Sequence, residues 1–324
     1  MLWRDILIRS EHNPILTRKD IVSSHPALQD VSSVFNPGGI LHEGKFLLLL
    51  RVQNRGRETF LLRAESADGI HFRVEPEPVN ILHLHRCPHT VFHIYDPRIT
   101  VAPQPGLYHV LCAMDTDKGC FLGLFTSEEF HILEFQGLVS EPDVRNGVLL
   151  AGTPYRFERP NTWQGADGIK TGKAITCSRS ADFLTWEPIA KVMEGRPHYW
   201  DELIGSGPPP LKTQEGWLHI YHGVATHFGN ANIYQAGVSL HDLSEPWKVL
   251  ARGKYNILEP RELWELTGQV PNVVFPSAAI PLETDSDGCV PLDSPIYVYY
   301  GAADTCVGLA ITTPQRLIDH CFAP

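Results

Sequence analysis

Five units of similar pattern follow one another along this chain, each roughly 50 to 80 residues long. Every unit has an apolar run of the kind that forms a buried strand, and a second such run follows after a connection. The first runs lie at residues 46–50, 107–111, 154–157, 217–221 and 296–300. Because a small sheet of this kind buries its two faces only against neighbouring sheets, five units predict an all-β, five-bladed β-propeller. Two packed β-sandwiches with chance similarity are the alternative.

The distribution of glycine and proline agrees with this prediction. The 26 glycines and 26 prolines interrupt the apolar runs throughout, which is typical of strands joined by tight turns. Short helical segments are predicted only near residues 20–28 and 314–320. No linker-like segment divides the chain, so we expect one domain over residues 1–324.

Charge and apolar content disfavour several classes of function. The net charge of −10 argues against general nucleic-acid binding. No apolar run approaches the roughly 18 residues that a membrane-spanning helix needs, so we expect no membrane partner. Residues 1–5 lack an apolar signal core, and the seven cysteines show no framework spacing. These features indicate a cytoplasmic protein with reduced thiols; homo-oligomer formation is left open.

One acid stands at a position suited to catalysis. Asp96 is followed by Pro97 and Arg98 at the start of an apolar run, and Pro97 biases Asp96 toward an extended backbone. Segments at the same phase of the other units begin at Asn36, Arg145 and residues 205 and 275. Because propellers bind ligands on the axis where their inner strands converge, we expect Asp96 to face an axial cavity. A surface turn acid paired with Arg98 is the alternative.

A group of cations lies in the later units. Arg145, Arg159 and Lys212 each stand in a segment marked by glycine or proline, and Asn146 adds an amide. If these groups converge on the axis, they form an anion site suited to phosphate. Separate surface cations are the alternative.

The ordered motifs of the chain resemble those of one family along nearly its whole length. The motifs are Asn13-Pro14-Ile15-Leu16, Val34-Phe35-Asn36, Leu50-Arg51-Val52, Asp96-Pro97-Arg98-Ile99, Arg159-Pro160, Ile204-Gly205-Ser206-Gly207-Pro208-Pro209-Pro210-Leu211-Lys212-Thr213, Tyr221-His222-Gly223-Val224, Phe275-Pro276-Ser277 and Tyr300-Gly301-Ala302-Ala303-Asp304. This set is similar to glycoside hydrolase family 130, the inverting β-mannoside phosphorylases and β-mannosidases.

The resemblance implies a five-bladed propeller and a β-1,2- or β-1,4-mannoside substrate cleaved by phosphate to α-mannose 1-phosphate. It implies that Asp96 is the catalytic acid. Phosphate would be held by Arg145, Asn146, Arg159, Lys212 and Tyr234. The mannosyl unit would contact Asn36, Arg51 and Asp304, and we add His222 because it follows a strand-like run toward the cavity; a structural histidine is its alternative. No cofactor is implied besides phosphate as co-substrate.

Two other functions remain open on the sequence. An inverting hydrolase needs a second carboxylate as base, and Glu202 is the candidate. A carbohydrate-binding propeller would need no acid aimed at a cationic pocket. The chain also departs from the family at Tyr95, where an acid is common.

A metal site is a further alternative, at His83, His85, Cys87, His89 and His93. Imidazole and thiolate suit zinc, but the spacing matches no zinc template, so we expect no metal there. We favour the interpretation that this segment is a loop lining the side of the cavity where the leaving sugar sits.

Overall fold

The computed structural model describes residues 6–164, 170–226 and 231–323, and it confirms the five-bladed β-propeller. Residues 1–5, on which the expected location in the cell partly rests, lie outside this range. The first described strand, β1 (Ile8–Arg9), joins the last blade rather than the first. Each blade is a mostly antiparallel sheet, and the inner strands of the five blades carry residues 36, 96, 146, 205 and 275.

The strands follow the chain from blade to blade. Blade 1 contains β2 (Val31–His42), β3 (Lys45–Asn54), β4 (Thr59–Ser66) and β5 (Arg73–Pro78), and blade 2 contains β6 (Asn80–Leu82), β7 (Val91–Val101), β8 (Tyr108–Thr116), β9 (Gly119–Ser127) and β10 (Ile132–Leu138). Blade 3 contains β11 (Val144–Leu149), β12 (Tyr155–Pro160), β15 (Ala174–Arg179) and β16 (Glu187–Glu194), with the hairpin β13 (Trp163–Gln164) and β14 (Lys170–Thr171) between its second and third strands. Blade 4 contains β17 (Leu203–Ser206), β18 (Leu211–Thr213), β19 (Gly216–Ala225), β20 (Ile233–His241) and β21 (Val249–Arg252), and blade 5 contains β22 (Val274–Pro281), β23 (Ile296–Ala302), β24 (Cys306–Thr312) and β1.

The helical content is small, as predicted. Two 3-10 helices, Arg18–Asp20 and Pro26–Leu28, lie within or beside the first predicted segment, and α2 (Pro314–Phe322) covers the second. A third 3-10 helix (Leu84–Arg86) and the short α1 (Leu263–Leu266) precede inner strands.

The leucine run of β3 shows how a blade packs against its neighbours. Leu47 and Leu49 lie in a core cluster shared with blade 2, whereas Leu48 and Leu50 lie in one shared with blade 5. Successive residues of a strand point to opposite faces, so a continuous apolar run is what a strand buried on both faces requires. The blade interfaces therefore form the core.

A buried carboxylate fastens the N-terminal strand to blade 5. Glu265, fully buried, accepts hydrogen bonds from Arg9 Nε and Nη2, both at 2.8 Å, and from the Tyr300 hydroxyl at 2.9 Å. Together with the pairing of β1 and β24, these bonds close the last sheet with residues from both ends of the described chain.

Candidate active site

A cavity of about 360 Å³ lies where the five blades meet. Every blade contributes a side chain to its wall: Asn36, Asp96, Asn146, His222 and Phe275, in blade order. It also contains Arg51, Arg145, Arg159, Tyr234 and Asp304 of the predicted site residues. The structure thus brings together all of them except Lys212.

The inner strands of three blades have the same unusual backbone conformation. Asn36, Asp96 and Asn146 have φ of 45°, 53° and 54°, in the left-handed region, and each lies where strand register shifts. The extended backbone expected for Asp96 before Pro97 is therefore wrong, because the bulge sets its conformation instead. Asn and Asp tolerate this region better than other side chains that have a Cβ, and a bulge locally redirects its strand. Each bulged residue lines the cavity.

Asp96 is fixed at one oxygen. Its Oδ1 accepts a hydrogen bond from Arg51 Nη1 at 2.9 Å and one from Asn36 Nδ2 at 3.1 Å. The Arg51 guanidinium lies 4.4 Å from the ring centroids of both Phe35 and Tyr95, which hold it between two aromatic faces. The other carboxyl oxygen of Asp96, Oδ2, has no hydrogen-bond partner among the described residues and faces the cavity that Asp96 lines.

Arg98 supports the Asp96 bulge from below. Only 2% exposed, it donates from Nε to the Gly207 carbonyl at 2.6 Å and from Nη1 to the carbonyls of Asp96 and Pro97. It therefore ties the inner strand of blade 2 to that of blade 4 rather than pairing with the Asp96 carboxylate as a surface turn would.

Asp304 is a second carboxyl group in the same part of the cavity. Burial raises its pKa to about 6, against the lowering effect of nearby Arg51, and the charge of Asp96 adds to the increase. A carboxyl group in this state can act as hydrogen-bond donor or acceptor toward a polar ligand.

Two arginines form the other part of the cavity. Arg159 is 8% exposed, and its Nε donates to the neutral Asn161 Oδ1 at 3.1 Å. Burial lowers its pKa to about 10, and the charge of Arg145 lowers it further, while Tyr234 opposes the shift. A buried guanidinium paired with an amide and facing a second guanidinium favours an anionic ligand.

His222 lies beside Tyr234 and close to Arg159. Its ring stacks on Tyr234 with centroids 6.1 Å apart, and burial, together with the charges of Arg159 and Arg98, lowers its pKa well below the usual value. The predicted site residue His222 thus lines the cavity with a neutral ring that is almost fully buried.

Gly205 explains why the Gly-Ser-Gly motif is needed here. A Cβ at this position would lie 2.6 Å from Asn146 Oδ1 and closer still to the His222 ring. Only glycine lets the inner strand of blade 4 approach both side chains.

Sequence reasoning missed Asp115, which lines the cavity beside Arg145. Its Oδ1 accepts hydrogen bonds from the Tyr95 hydroxyl at 2.9 Å and from Arg145 Nη2 at 3.3 Å. Asp115 lies near the end of β8, across from His93 on β7. The sequence signal that could have identified Asp115 is its position as an acid near the end of the strand that follows the Asp96 strand.

The placement of Lys212 corrects the sequence prediction. Lys212 lies on β18, a side strand of blade 4, and its Nζ donates to the Asp287 carbonyl at 3.0 Å on the exposed surface. Gly205 pairs with His222 of the cavity wall, whereas Lys212 pairs with Trp217, five residues and about 17 Å away along β19. It does not line the cavity.

Glu202 is also away from the cavity wall. Its carboxylate accepts a short hydrogen bond from Thr226 Oγ1, and it is not among the described residues that line the cavity. Glu202 is therefore not placed to activate water in the cavity, as the hydrolase alternative would require.

No cluster of three or more His, Cys, Asp or Glu side chains suited to a metal ion occurs in the described part of the chain, including the segment from His83 to His93. Within the same residues, none of the helices has the length and apolar character needed to cross a bilayer.

Comparisons with known proteins identify the family of this chain. The model of glycoside hydrolase family 130, described as beta-1,4-mannooligosaccharide phosphorylase, matches residues 169–322. The chain is 30% identical to a beta-1,4-mannooligosaccharide phosphorylase of Ruminococcus albus, over 98% of this chain and 91% of that protein. It is also 30% identical to a beta-1,2-mannobiose phosphorylase of Thermoanaerobacter sp., over 96% and 98%. The solved beta-1,2-mannobiose phosphorylase from Listeria innocua, in complex with beta-1,2-mannobiose, superposes with a TM-score of 0.80 at 25% identity, covering 97% of this chain and 99% of that one.

Proposed function

The chain belongs to glycoside hydrolase family 130, and we propose that it is an inverting β-mannoside phosphorylase with Asp96 as its general acid. The substrate is a β-1,2- or β-1,4-linked mannoside, the two linkages named for its relatives, and inorganic phosphate is the co-substrate. The product is α-mannose 1-phosphate.

The buried guanidinium of Arg159 is the observation that carries this proposal. An inverting hydrolase activates water with a carboxylate base, whereas phosphate is already an anionic nucleophile and needs cations to hold it. Arg159 has a neutral hydrogen-bond partner, and Arg145 stands beside the same space. This arrangement supports phosphate rather than activated water as the attacking group.

The proposed reaction uses the two parts of the cavity in a single displacement. The Asp96 carboxyl releases its proton through a mannosyl hydroxyl to the glycosidic oxygen, whose bond to the anomeric carbon breaks. A phosphate oxygen attacks that carbon from the opposite face, which inverts its configuration. Arg51 and Asn36, both bound to Asp96 Oδ1, orient the acid.

Phosphate dependence is the first test. We expect β-1,4- or β-1,2-mannobiose to give mannose 1-phosphate with phosphate present and no appreciable free-sugar release without it. Equal mannose release with and without phosphate would establish a hydrolase instead. No turnover of either disaccharide, combined with sugar binding, would establish a carbohydrate-binding propeller.

Variants then assign the residues. Asp96→Asn should abolish phosphorolysis, whereas Asp30→Asn, at an exposed carboxylate paired with Arg55, should leave it unchanged. Arg159→Ala should raise the KM for phosphate about 30-fold or more, because truncating a buried charge partner costs about 2 kcal/mol or more. Arg55→Ala is the matched control for Arg159→Ala. An Asp96→Asn enzyme with full activity would refute the assignment of Asp96 as the general acid.

A further inference from the structure

Tyr95 contacts both parts of the cavity through different atoms. Its ring covers the Arg51 guanidinium at 4.4 Å, and Arg51 in turn binds Asp96. Its hydroxyl donates to Asp115 Oδ1 at 2.9 Å, and Asp115 in turn binds Arg145. Tyr95 thus connects Arg51, which binds the proposed acid, with Arg145, which is proposed to bind phosphate.

The hydroxyl of Tyr95 is a fixed donor. The residue is 6% exposed, and burial raises the pKa of its phenol well above the usual value, so the hydroxyl stays protonated. Since Asp115 Oδ1 also accepts from Arg145 Nη2 at 3.3 Å, the hydroxyl restricts where this carboxylate can stand.

Arg145 gains its orientation from this carboxylate. Asp115 takes one end of the guanidinium, while the buried Nε of Arg145 has no hydrogen-bond partner among the described residues. An arginine held at one edge presents its other edge to a planar or tetrahedral oxyanion. The Tyr95 ring also lies 5.8 Å from this guanidinium.

We propose that Tyr95 and Asp115 form a positioning pair that aims Arg145 at phosphate, while the Tyr95 ring independently holds Arg51 against Asp96. The proposal rests on the function proposed above. It also explains why a tyrosine serves at a position where an acid is common in the family: its hydroxyl binds the carboxylate of Asp115 next to the arginine, and its ring adds a stacking face.

Separating the hydroxyl from the ring tests this pair. Tyr95→Phe removes only the hydroxyl, so it should raise the KM for phosphate about fivefold to tenfold and change the KM for mannobiose by less than about twofold. Tyr108→Phe is the matched control, because the Tyr108 hydroxyl of the same blade bonds His42 outside the cavity. Tyr95→Leu, which also removes the ring, should raise both KM values and lower kcat.

A double-mutant cycle tests whether the hydroxyl acts through Asp115. Asp115→Ala should raise the KM for phosphate as Tyr95→Phe does, and combining the two should add little further, because residues that share one hydrogen bond are not additive. Fully additive effects would overturn the coupling.

Calorimetric titration with inorganic phosphate makes the result independent of turnover. The Kd for phosphate should rise by the same factor in Tyr95→Phe as the KM. An unchanged Kd, or equal increases in the constants for phosphate and mannobiose, would overturn the positioning role even if the wild type is an active phosphorylase. Failure of the proposed function would instead appear as wild-type turnover that does not depend on phosphate.

Discussion

Replacing Asp304 with asparagine should stabilise the fold at neutral pH and weaken mannoside binding in the same variant. Burial raises the pKa of the Asp304 carboxyl from 3.8 to about 6. In the unfolded chain the group ionises near pH 4, so between pH 4 and 6 the folded state holds a proton that the unfolded state has lost. Stability therefore falls as pH rises through this window.

The size of the effect follows from the pKa difference. A rise of the pKa from 3.8 to about 6 corresponds to about 3 kcal/mol, because a tenfold change in the ionisation constant is worth about 1.36 kcal/mol. Asparagine has nearly the same shape and tolerates the left-handed backbone at this position, where φ is 48°, but it carries no charge. The stability of Asp304→Asn relative to wild type should therefore increase by up to about 3 kcal/mol between pH 4 and pH 7.

Urea unfolding followed by tryptophan fluorescence, at several pH values without phosphate or sugar, measures this difference. Asp30→Asn is the control, since its exposed carboxylate should give a nearly constant difference. The same Asp304→Asn protein should show a KM for mannobiose raised about tenfold, or 1.4 kcal/mol. A stability difference that stays flat from pH 4 to 7 would refute the reasoning from burial.

Three further predictions concern the rest of the structure. Gly205→Ala should cost on the order of 100-fold in kcat/KM, because its Cβ would displace Asn146; wild-type kinetics would contradict this packing. Lys212→Ala should change the KM for phosphate by less than about twofold, as expected for a surface side chain, and a large increase would return Lys212 to the site. Glu265→Ala should lower the free energy of unfolding by about 3–5 kcal/mol in urea titrations, since it leaves Arg9 and Tyr300 without their buried partner; a loss below 1 kcal/mol would show that the closure is dispensable.

The repeat pattern was sufficient to predict the fold because propeller blades have a strong local signal. Runs such as Leu47–Leu50 are apolar at every position, and only a strand covered on both faces needs that pattern. The N-terminal strand was not predicted as part of blade 5. Its two residues, Ile8 and Arg9, are too few for a periodic signal, and their pairing partner lies about 300 residues away in the sequence.

Repeat phase and family resemblance each pointed to residues that line the cavity, the resemblance supplying Arg51 and Asp304. Asn36, Asp96 and Asn146 occupy equivalent bulge positions in three blades, so repeat phase alone brings them to the axis. Lys212 was assigned by a neighbouring proline run, which stiffens the backbone but does not set its distance from the axis. Asp115 escaped because its role depends on a contact between adjacent strands.

The left-handed bulge has a consequence for how such a site tolerates change. A residue at φ near 50° carries a backbone cost that Asn and Asp bear more easily than other residues with a Cβ, so Asn36, Asp96 and Asn146 are constrained by conformation as well as by chemistry. The position just before each bulge is free of this restriction, and there the chain has Phe35, Tyr95 and Arg145. Chemical variation of the site is therefore easiest at the preceding residue, which is where Tyr95 departs from the family's usual acid and where its contacts with Arg51 and Asp115 arise.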